Sequence, residues 1–179
     1  VNEQFADQQL NLVDKYKINI ITYWDDHYPA LLKKIYDPPA FFYIKGDLLK
    51  DDDQAFGIVG TRIPSQYGKL VTGQFARELV DYKFTIVSGL ARGIDTMAHR
   101  GALNNNGRTI AVLGSGIDQI YPPENRKLAM EIYENGAVIS EYPLGTKPDA
   151  VNFPKRNRII SGLSFGILVV EAGIKSGAL

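Results

Sequence analysis

Four glycine-rich segments of the chain contain residue types that suit phosphate binding. They are Gly60-Thr61-Arg62, Ser88-Gly89-Leu90-Ala91-Arg92-Gly93, Gly114-Ser115-Gly116 and Lys175-Ser176-Gly177. Glycine allows backbone N–H groups to approach a ligand closely, and a helix that begins after such a turn presents its N-terminus to an anion. Arginine adds a planar guanidinium that pairs well with phosphate oxygens. These segments are therefore candidate phosphate-binding turns.

The first turn has a purely structural alternative. Ser65 is a candidate N-cap for the helix that follows, and the N-terminus of that helix would form a general anion site. However, Gly60 could serve only as a turn and Arg62 only as a surface charge. The residues around this turn leave both interpretations open.

The segment Phe153-Pro154-Lys155-Arg156-Asn157-Arg158 places three cations beside an aromatic residue. Asp149 precedes it and no acid follows until Glu171, although the whole chain balances 20 basic against 20 acidic residues. Lysine and arginine can neutralise phosphates, and an exposed phenylalanine can stack on an unpaired base. Alternatively, Phe153 is a buried anchor and an arginine pairs internally with a glutamate.

Asp95 and His99 are four residues apart and can share one face of a helix. Such a pair could transfer protons or bind a metal, but no second ligand lies at a suitable spacing. We therefore expect His99 to have a structural or ligand-contacting role, and we expect no metal.

The sequence contains neither the full Gly-x-Gly-x-x-Gly pattern nor a P-loop. Their absence disfavours nicotinamide enzymes and P-loop ATPases. We therefore expect no cofactor.

Five short apolar runs predict the strands that position these turns. They cover residues 55–60, 84–89, 109–114, 137–141 and 166–171. Strands that are apolar on every residue are typical of a parallel sheet buried on both faces. Helical patterns separate them, for example Val71, Phe75 and Leu79. The sequence therefore predicts an α/β protein with a doubly wound, mainly parallel, Rossmann-like sheet, whose ligands lie at the carboxyl ends of the strands.

The first part of the chain differs from this regular core and is rich in aromatic residues. We expect residues 18–53 to form an αβ extension packed on a core of residues 54–179. Within it the pattern predicts a strand over 17–23, a short helix over 30–35 and a strand over 40–45. A doubly wound sheet should not stop at a turn, so we expect the core to be incomplete at its C-terminus.

The composition of the chain bears on its cellular compartment and on its surface charge. The chain has 179 residues, 45% of them hydrophobic, and no cysteine, which fits a reducing, cytoplasmic location. No apolar run approaches the ~18 residues that a membrane helix needs, and the N-terminus lacks a signal-peptide pattern. A net charge of zero excludes a uniformly basic surface but allows a local basic patch.

Several motifs together resemble the bacterial DprA/Smf DNA-processing family. They are Gly60-Thr61-Arg62, Ser88-Gly89-Leu90-Ala91-Arg92-Gly93-Ile94-Asp95, Tyr121-Pro122, Phe153-Pro154-x-Arg156-Asn157-Arg158 and Glu171-Ala172-x-x-x-Ser176-Gly177. Trp24-Asp25-Asp26-x-Tyr28-Pro29 is similar to the segment that precedes the family's core. Each motif alone is common, but their number and order are specific.

The resemblance implies a protein that binds single-stranded DNA and catalyses no reaction. It also implies a homodimer that helps load RecA recombinase onto incoming DNA during natural transformation. Arg62 matches the family's arginine after the first core strand, and residues 153–158 match its basic strand-end loop. Residues 1–17 then correspond to a remnant of a helical N-terminal domain.

Two other functions remain open on the same fold. LOG-type nucleotide phosphoribohydrolases have a Pro-Gly-Gly-x-Gly-Thr-x-x-Glu motif where this chain has residues 171–177, and the paired glycines and trailing acid are missing here. Glu141 and Glu171 are the carboxylates best placed for acid–base work, and the sequence shows no partner for either. The third possibility is a mononucleotide sensor.

Overall fold

A single seven-stranded sheet in the strand order β1-β2-β6-β5-β4-β3-β7 organises the chain. The computed structural model describes residues 3–173 and 176–177. The strands are β1 (Asn19–Thr22), β2 (Phe41–Gly46), β3 (Ala55–Gly60), β4 (Thr85–Ser88), β5 (Thr109–Leu113), β6 (Gly136–Ser140) and β7 (Ile167–Val170). The helices are α1 (Glu3–Tyr16), α2 (Gln66–Asp81), α3 (Ile94–Leu103), α4 (Arg126–Asn135) and α5 (Asn152–Gly162).

The five predicted core runs form the parallel strands β3 to β7. β4, β5 and β6 are buried at every residue, which explains why their sequences are apolar or small throughout. β2 pairs antiparallel with β6, and β1 pairs antiparallel with β2. The extension therefore continues the core sheet by two strands.

Helices cover both faces of the sheet, as the doubly wound prediction requires. On one face, Ile159 and Ile160 of α5 share a core cluster with Leu32, Phe42 and other residues. On the other face, α1 and α4 pack over one half of the sheet and α2 and α3 over the other half. The predicted fold class is confirmed.

Two local predictions were wrong or only partly right. Residues 30–35 contain only a 3-10 turn, Leu32–Lys34, because Pro38 and Pro39 follow closely and leave no room for a longer helix. Of the apolar stripe in α2, Leu79 packs against a core cluster but Phe75 is exposed, and the buried residues are Gly68, Thr72 and Ala76. The small residues allow α2 to pack closely against α3, and this close approach decides which side of α2 is buried.

A buried glutamine adds hydrogen bonds to the apolar packing of Val13 that holds α1 on the core. The Gln9 side chain accepts a hydrogen bond from the Leu144 N–H at 2.8 Å and donates one to the Leu144 carbonyl at 3.3 Å. The boundaries proposed at residues 17 and 53 remain predictions. Among the described residues, no helix has the length and apolar character needed to cross a membrane.

Candidate nucleic-acid interface

The carboxyl ends of β3, β4 and β5 border a cleft of about 1090 Å³. These strands are neighbours in the sheet and run parallel, so the turns that follow them meet at one edge. The first turn of α5 closes the cleft from one side, and the loop before α5 adds Lys147 and Pro148. Several predicted site residues line it, namely Gly60, Thr61, Arg62, Ala91, Phe153, Arg156, Asn157, Ser176 and Gly177.

The lining of this cleft contains a cation, Arg62, next to two aromatic rings, Tyr121 and Phe153. The Arg62 guanidinium carbon lies 5.4 Å from the centre of the Phe153 ring. The rings of Phe153 and Tyr121 are 6.0 Å apart and inclined by 35°. Gly114 permits this arrangement, because a Cβ there would lie 2.8 Å from the Phe153 ring. We call Arg62, Tyr121 and Phe153 the cation–aromatic cluster.

The predicted basic loop is instead the first two turns of α5. Successive residues of a helix point about 100° apart, so the three cations do not form one patch. Lys155 is exposed, and no salt bridge involves it among the described residues. Arg156 points inward, and Arg158 points toward the extension. The prediction of a loop was wrong because the segment lacks helix breakers after Pro154, and proline is tolerated in a first turn.

Arg156 forms part of the floor of the cleft. Its side chain is 4% exposed, and one guanidinium nitrogen donates to the carbonyls of Gly89, at 2.8 Å, and Val112. A Cβ at Gly89 would lie 2.4 Å from this guanidinium, so a larger residue there would displace the Arg156 side chain. The expectation of a surface cation at Arg156 is therefore corrected: the residue joins the ends of β4 and β5.

Asp95 is a buried carboxylate whose charge acts on this buried arginine. It accepts hydrogen bonds from the N–H groups of Gly89 at 3.2 Å and Ala91 at 3.3 Å. Burial raises the pKa of Asp95, while the positive charge of Arg156 and the backbone donors act in the opposite direction. Burial likewise lowers the pKa of Arg156, and Asp95 opposes that shift. The pair shapes the glycine turn after β4.

Two other predicted cations are held by carboxylates. Arg158 forms salt bridges with Glu141 at 2.5 Å and Asp37 at 3.1 Å, so the internal pairing considered for an arginine is observed. Arg92 forms an exposed pair with Glu124, and it lies beside the cation–aromatic cluster. The expectation of a free phosphate contact at Arg158 is corrected, because its charge is neutralised within the protein.

Four N–H groups of the glycine turns are engaged in hydrogen bonds within the protein. The Thr61 N–H donates to the Val170 carbonyl, and the Gly116 N–H donates to the Thr146 carbonyl. The N–H groups of Gly89 and Ala91 both donate to the Asp95 carboxylate. The turn at Gly93 packs against the backbone of Thr61 and Arg62. These turns therefore set the positions of side chains, and the expected cradle of free N–H groups is not observed at these residues.

The anion site expected at the start of α2 is occupied by the protein itself. Ser65 caps the helix by accepting from the Gly68 N–H at 3.0 Å. Glu171 accepts from the Ser65 N–H at 2.8 Å and from the Ser65 hydroxyl. These hydrogen bonds lower the pKa of Glu171. This carboxylate already supplies the negative charge that a helix N-terminus favours, so it occupies the position that an external phosphate would need.

The serines of the turns and the buried histidine are structural. The hydroxyl of Ser88 donates to the Ile58 carbonyl at 2.6 Å, and that of Ser115 to the Gln119 carbonyl at 2.7 Å; both residues are buried. His99 bonds Thr109 at 2.7 Å rather than Asp95. No group of three His, Asp or Glu side chains suited to a metal occurs in the described part of the chain.

Sequence reasoning missed two residues of the interface. Lys147 lines the cleft and forms no salt bridge among residues 3–173 and 176–177, and Tyr121 completes the cation–aromatic cluster. Tyr121-Pro122 follows the third glycine turn, which was a usable signal for Tyr121. Nothing in the sequence near Lys147 marks it. Lys175 lies outside the described residues, whereas the Asn157 amide donates to the Gly177 carbonyl at 2.7 Å.

Comparison with known proteins shows relatives over nearly the whole chain. The sequence pattern of the family described as DNA recombination-mediator protein A matches residues 19–179. Protein Smf of Synechocystis is 53% identical over 159 residues, covering 87% of this chain and 40% of that protein. DNA processing protein DprA of Bacillus subtilis is 45% identical over 181 residues, covering 99% of this chain and 61% of that protein. The chain thus spans about two to three fifths of these relatives.

Solved structures give the same result. The crystal structure of DprA from Streptococcus pneumoniae matches with a TM-score of 0.89 and 38% identity, over 99% of this chain and 61% of that one. DNA processing protein A from Helicobacter pylori, solved to describe its unique single-stranded DNA binding mode, matches with a TM-score of 0.80 and 34% identity, over 90% and 72%. The predicted resemblance is confirmed, and the chain belongs to the DNA recombination-mediator protein A family.

Proposed function

We propose that this chain binds single-stranded DNA with little sequence preference in the cleft at the carboxyl edge of its sheet. The main support is the cation–aromatic cluster, in which Arg62 lies over the Phe153 ring beside Tyr121. A guanidinium attracts phosphate, and an aromatic ring stacks on any base because every base has a π-face. The Helicobacter pylori relative, described by its single-stranded DNA binding mode, supports the same ligand.

The surrounding residues divide into DNA contacts and supports. We assign phosphate contacts to Arg62, Lys147 and Lys155, whose ammonium and guanidinium groups have no salt-bridge partner among the described residues. We assign base contacts to Phe153 and Tyr121. The glycine turns and Arg156 then act as positioning residues, since their polar groups bond mainly within the protein.

Binding assays with single-residue variants test this proposal. Fluorescence anisotropy with labelled oligothymidylate and with a mixed-sequence strand should give similar affinities. Phe153→Ala should weaken both by about 5- to 100-fold, the value of one base–aromatic stack. Arg62→Ala should weaken binding and flatten the slope of log affinity against log salt by about 0.7, the value for one phosphate contact on a single strand.

A matched control separates this site from general surface charge. Arg77 is exposed on α2 and does not line the cleft, so Arg77→Ala should leave affinity and salt slope unchanged. Equal losses in the Arg62 and Arg77 variants, or full binding without Phe153, would contradict the proposal. Competition by nucleoside monophosphates but not by oligonucleotides would instead favour a mononucleotide sensor.

We also propose that the chain is a binding protein and not an enzyme. The phosphoribohydrolase alternative needs a carboxylate available for acid–base work. Glu141 is paired with Arg158, and Glu171 caps the start of α2 through Ser65. Release of free base during incubation with nucleoside monophosphates would overturn this part of the proposal.

The wider cellular role is proposed from family membership. The chain spans 40% to 61% of the curated relatives described above, so the activities of whole proteins are not assigned to it directly. We propose that the full-length protein acts in the cytoplasm as a homodimer and helps load RecA recombinase onto incoming DNA in natural transformation. Stimulation of RecA filament formation on a coated single strand would test this role.

A further inference from the structure

We propose that the N-terminal extension holds a second contact for the same DNA strand, at which an unpaired base stacks on Trp24. The inference rests on the proposed function, because it extends the path of a strand that the cleft already binds. We call Tyr23, Trp24 and Tyr28 the aromatic shelf. Its location, its exposed ring and the charges around it support a base-binding role.

Strand directions place the aromatic shelf at the same edge of the sheet as the cleft. β2 is antiparallel to β6, and β1 is antiparallel to β2, so β1 points the same way as the parallel strands. Its last residue, Thr22, therefore lies at the carboxyl edge. The strand order puts β1 three spacings from β5, about 14 Å at about 4.8 Å each. A few nucleotides of extended strand span that distance.

The shelf and the cleft also lie on the same face of the sheet. Tyr28, Leu32 and Phe42 belong to the core cluster that contains Ile159 and Ile160 of α5. Phe153 lies at the start of the same helix, and its ring stands over Gly114 at the end of β5. A strand leaving Phe153 along this edge reaches the shelf without crossing the sheet.

Trp24 presents a large and well-supported ring to solvent. It is 79% exposed, although a tryptophan gains free energy from burial. Its ring meets Tyr23 edge to face at 5.9 Å, and Tyr23 packs on Tyr28 at 5.4 Å. The Tyr28 hydroxyl donates to the Pro39 carbonyl at 2.7 Å, which fixes the base of the stack. The outer part of the indole remains available to a base.

The charges near the shelf are compatible with a DNA backbone. The Lys33 ammonium lies 5.3 Å from the Tyr23 ring centre and can reach a phosphate beside it. On the way to the cleft, Asp37 and Glu141 are both paired with Arg158. Asp25 accepts hydrogen bonds from the N–H and hydroxyl of Thr22. Two carboxylates on one guanidinium leave a net negative charge there, and Asp25 keeps its charge. Lys33 is therefore the group that can pair with a phosphate at the shelf, while the stacked base itself is uncharged.

The sole tryptophan of the chain reports on this contact directly. Tryptophan fluorescence is measured while unlabelled oligothymidylates of increasing length, from about 4 to about 16 nucleotides, are added. Short strands should bind in the cleft without quenching Trp24. Strands above a threshold length should quench it, because a stacked base then contacts the indole.

Affinity measurements with variants complete the test. Trp24→Ala should lower affinity for the longest strand by about fivefold or more and leave the shortest strand unaffected, because only the longer strand makes the additional stack. Trp24→Phe should restore part of the loss. The control is Tyr82→Ala, since Tyr82 is similarly exposed but lies at the C-terminal end of α2, toward the opposite edge.

Each outcome separates this inference from the proposed function. Two results would together contradict base stacking on Trp24 and leave the proposed cleft unaffected. The fluorescence would not depend on strand length, and Trp24→Ala would bind long strands as tightly as the unchanged chain does. Equal losses on short and long strands would also contradict base stacking on Trp24, because they indicate an effect on the whole fold. Failure of the unchanged chain to bind any strand would contradict the proposed function itself.

Discussion

Lys155 and Arg156 are consecutive cations with opposite environments. Lys155 is exposed to solvent, whereas Arg156 is 4% exposed and donates to two backbone carbonyls. The difference comes from the 100° rotation between neighbouring helical residues and from the space above Gly89, which has no Cβ. The sequence displays both residues as equal parts of one basic run, so it could not distinguish a surface contact from a structural residue.

Removal of Arg156 should destabilise the protein strongly. Arg156→Met keeps the length of the side chain but leaves Asp95 buried without a compensating cation and the Gly89 and Val112 carbonyls without this donor. Each buried polar group left without its partner costs about 1–3 kcal/mol, and more where the group is charged. Urea denaturation should show a matching decrease in the free energy of unfolding. The control Lys155→Ala should leave the midpoint nearly unchanged, and equal midpoints for both variants would contradict this account.

At the scale of elements, close packing of α2 on α3 decides which residues of α2 face the core. Gly68, Thr72 and Ala76 are buried, and a Cβ at Gly101 of α3 would lie 2.7 Å from the Ala76 side chain. Apolar spacing alone favoured Val71, Phe75 and Leu79. The pattern is right for Leu79, which packs against the core, and wrong for the exposed Phe75. Small residues at a helix contact bring two backbones together, and a hydrophobicity pattern does not count them as contact positions.

Two glycines of this helix pair should respond in opposite directions to alanine. Gly101→Ala places a methyl group against Ala76, and overpacking of this kind costs about 1–3 kcal/mol, more than the gain in helix propensity. Gly73→Ala meets nothing within 4 Å and should stabilise α2 by about 0.5–1 kcal/mol. Thermal unfolding of both variants gives the comparison. Stabilisation by Gly101→Ala would show that the two helices move apart easily.

At the scale of the whole molecule, the buried His99 links stability to pH. The Thr109 hydroxyl donates to the Ile86 carbonyl at 2.8 Å, so the imidazole donates from Nδ1 to Thr109. Burial, together with the charge of Arg156, lowers the pKa of His99 from 6.5 to about 3. The unfolded chain therefore takes up a proton below about pH 6.5 that the folded protein does not accept.

This difference predicts a loss of stability in mild acid. As the pH falls from 6.5 toward 4.5, His99 should lower the free energy of unfolding by up to about 1.4 kcal/mol per pH unit. The raised pKa of Asp95 has the opposite effect, because it adds stability as the pH falls. The test therefore compares variants by the slope of the free energy of unfolding against pH. His99→Asn should remove the histidine contribution, whereas His27→Gln, at an exposed residue, should keep it. Identical slopes in the two variants would contradict the prediction.

Residue patterns alone were enough to predict the fold class, and they also predicted the edge of the sheet at which the candidate site residues meet. Runs such as residues 109–114 are mainly apolar, which is typical of strands covered on both faces, and β4, β5 and β6 are buried at every residue. The edge strand β7 differs, because Ile167 and Val169 are partly exposed. Parallel strands then bring the turns after β3, β4 and β5 together. Arg62 and Phe153 were both candidates from the sequence, and the structure brings them together, whereas their contact with DNA stays a prediction.

Which polar groups remain available to a ligand depends on contacts between residues that are far apart in the sequence. Glu171 is 106 residues from Ser65 in sequence, and Arg158 is 121 residues from Asp37, so no local pattern could reveal that these groups bond each other. The same holds for Lys147, which a loop brings to the cleft. Side-chain charge is a property of the residue, but its neutralisation depends on long-range contacts, and those exist only after the chain has folded.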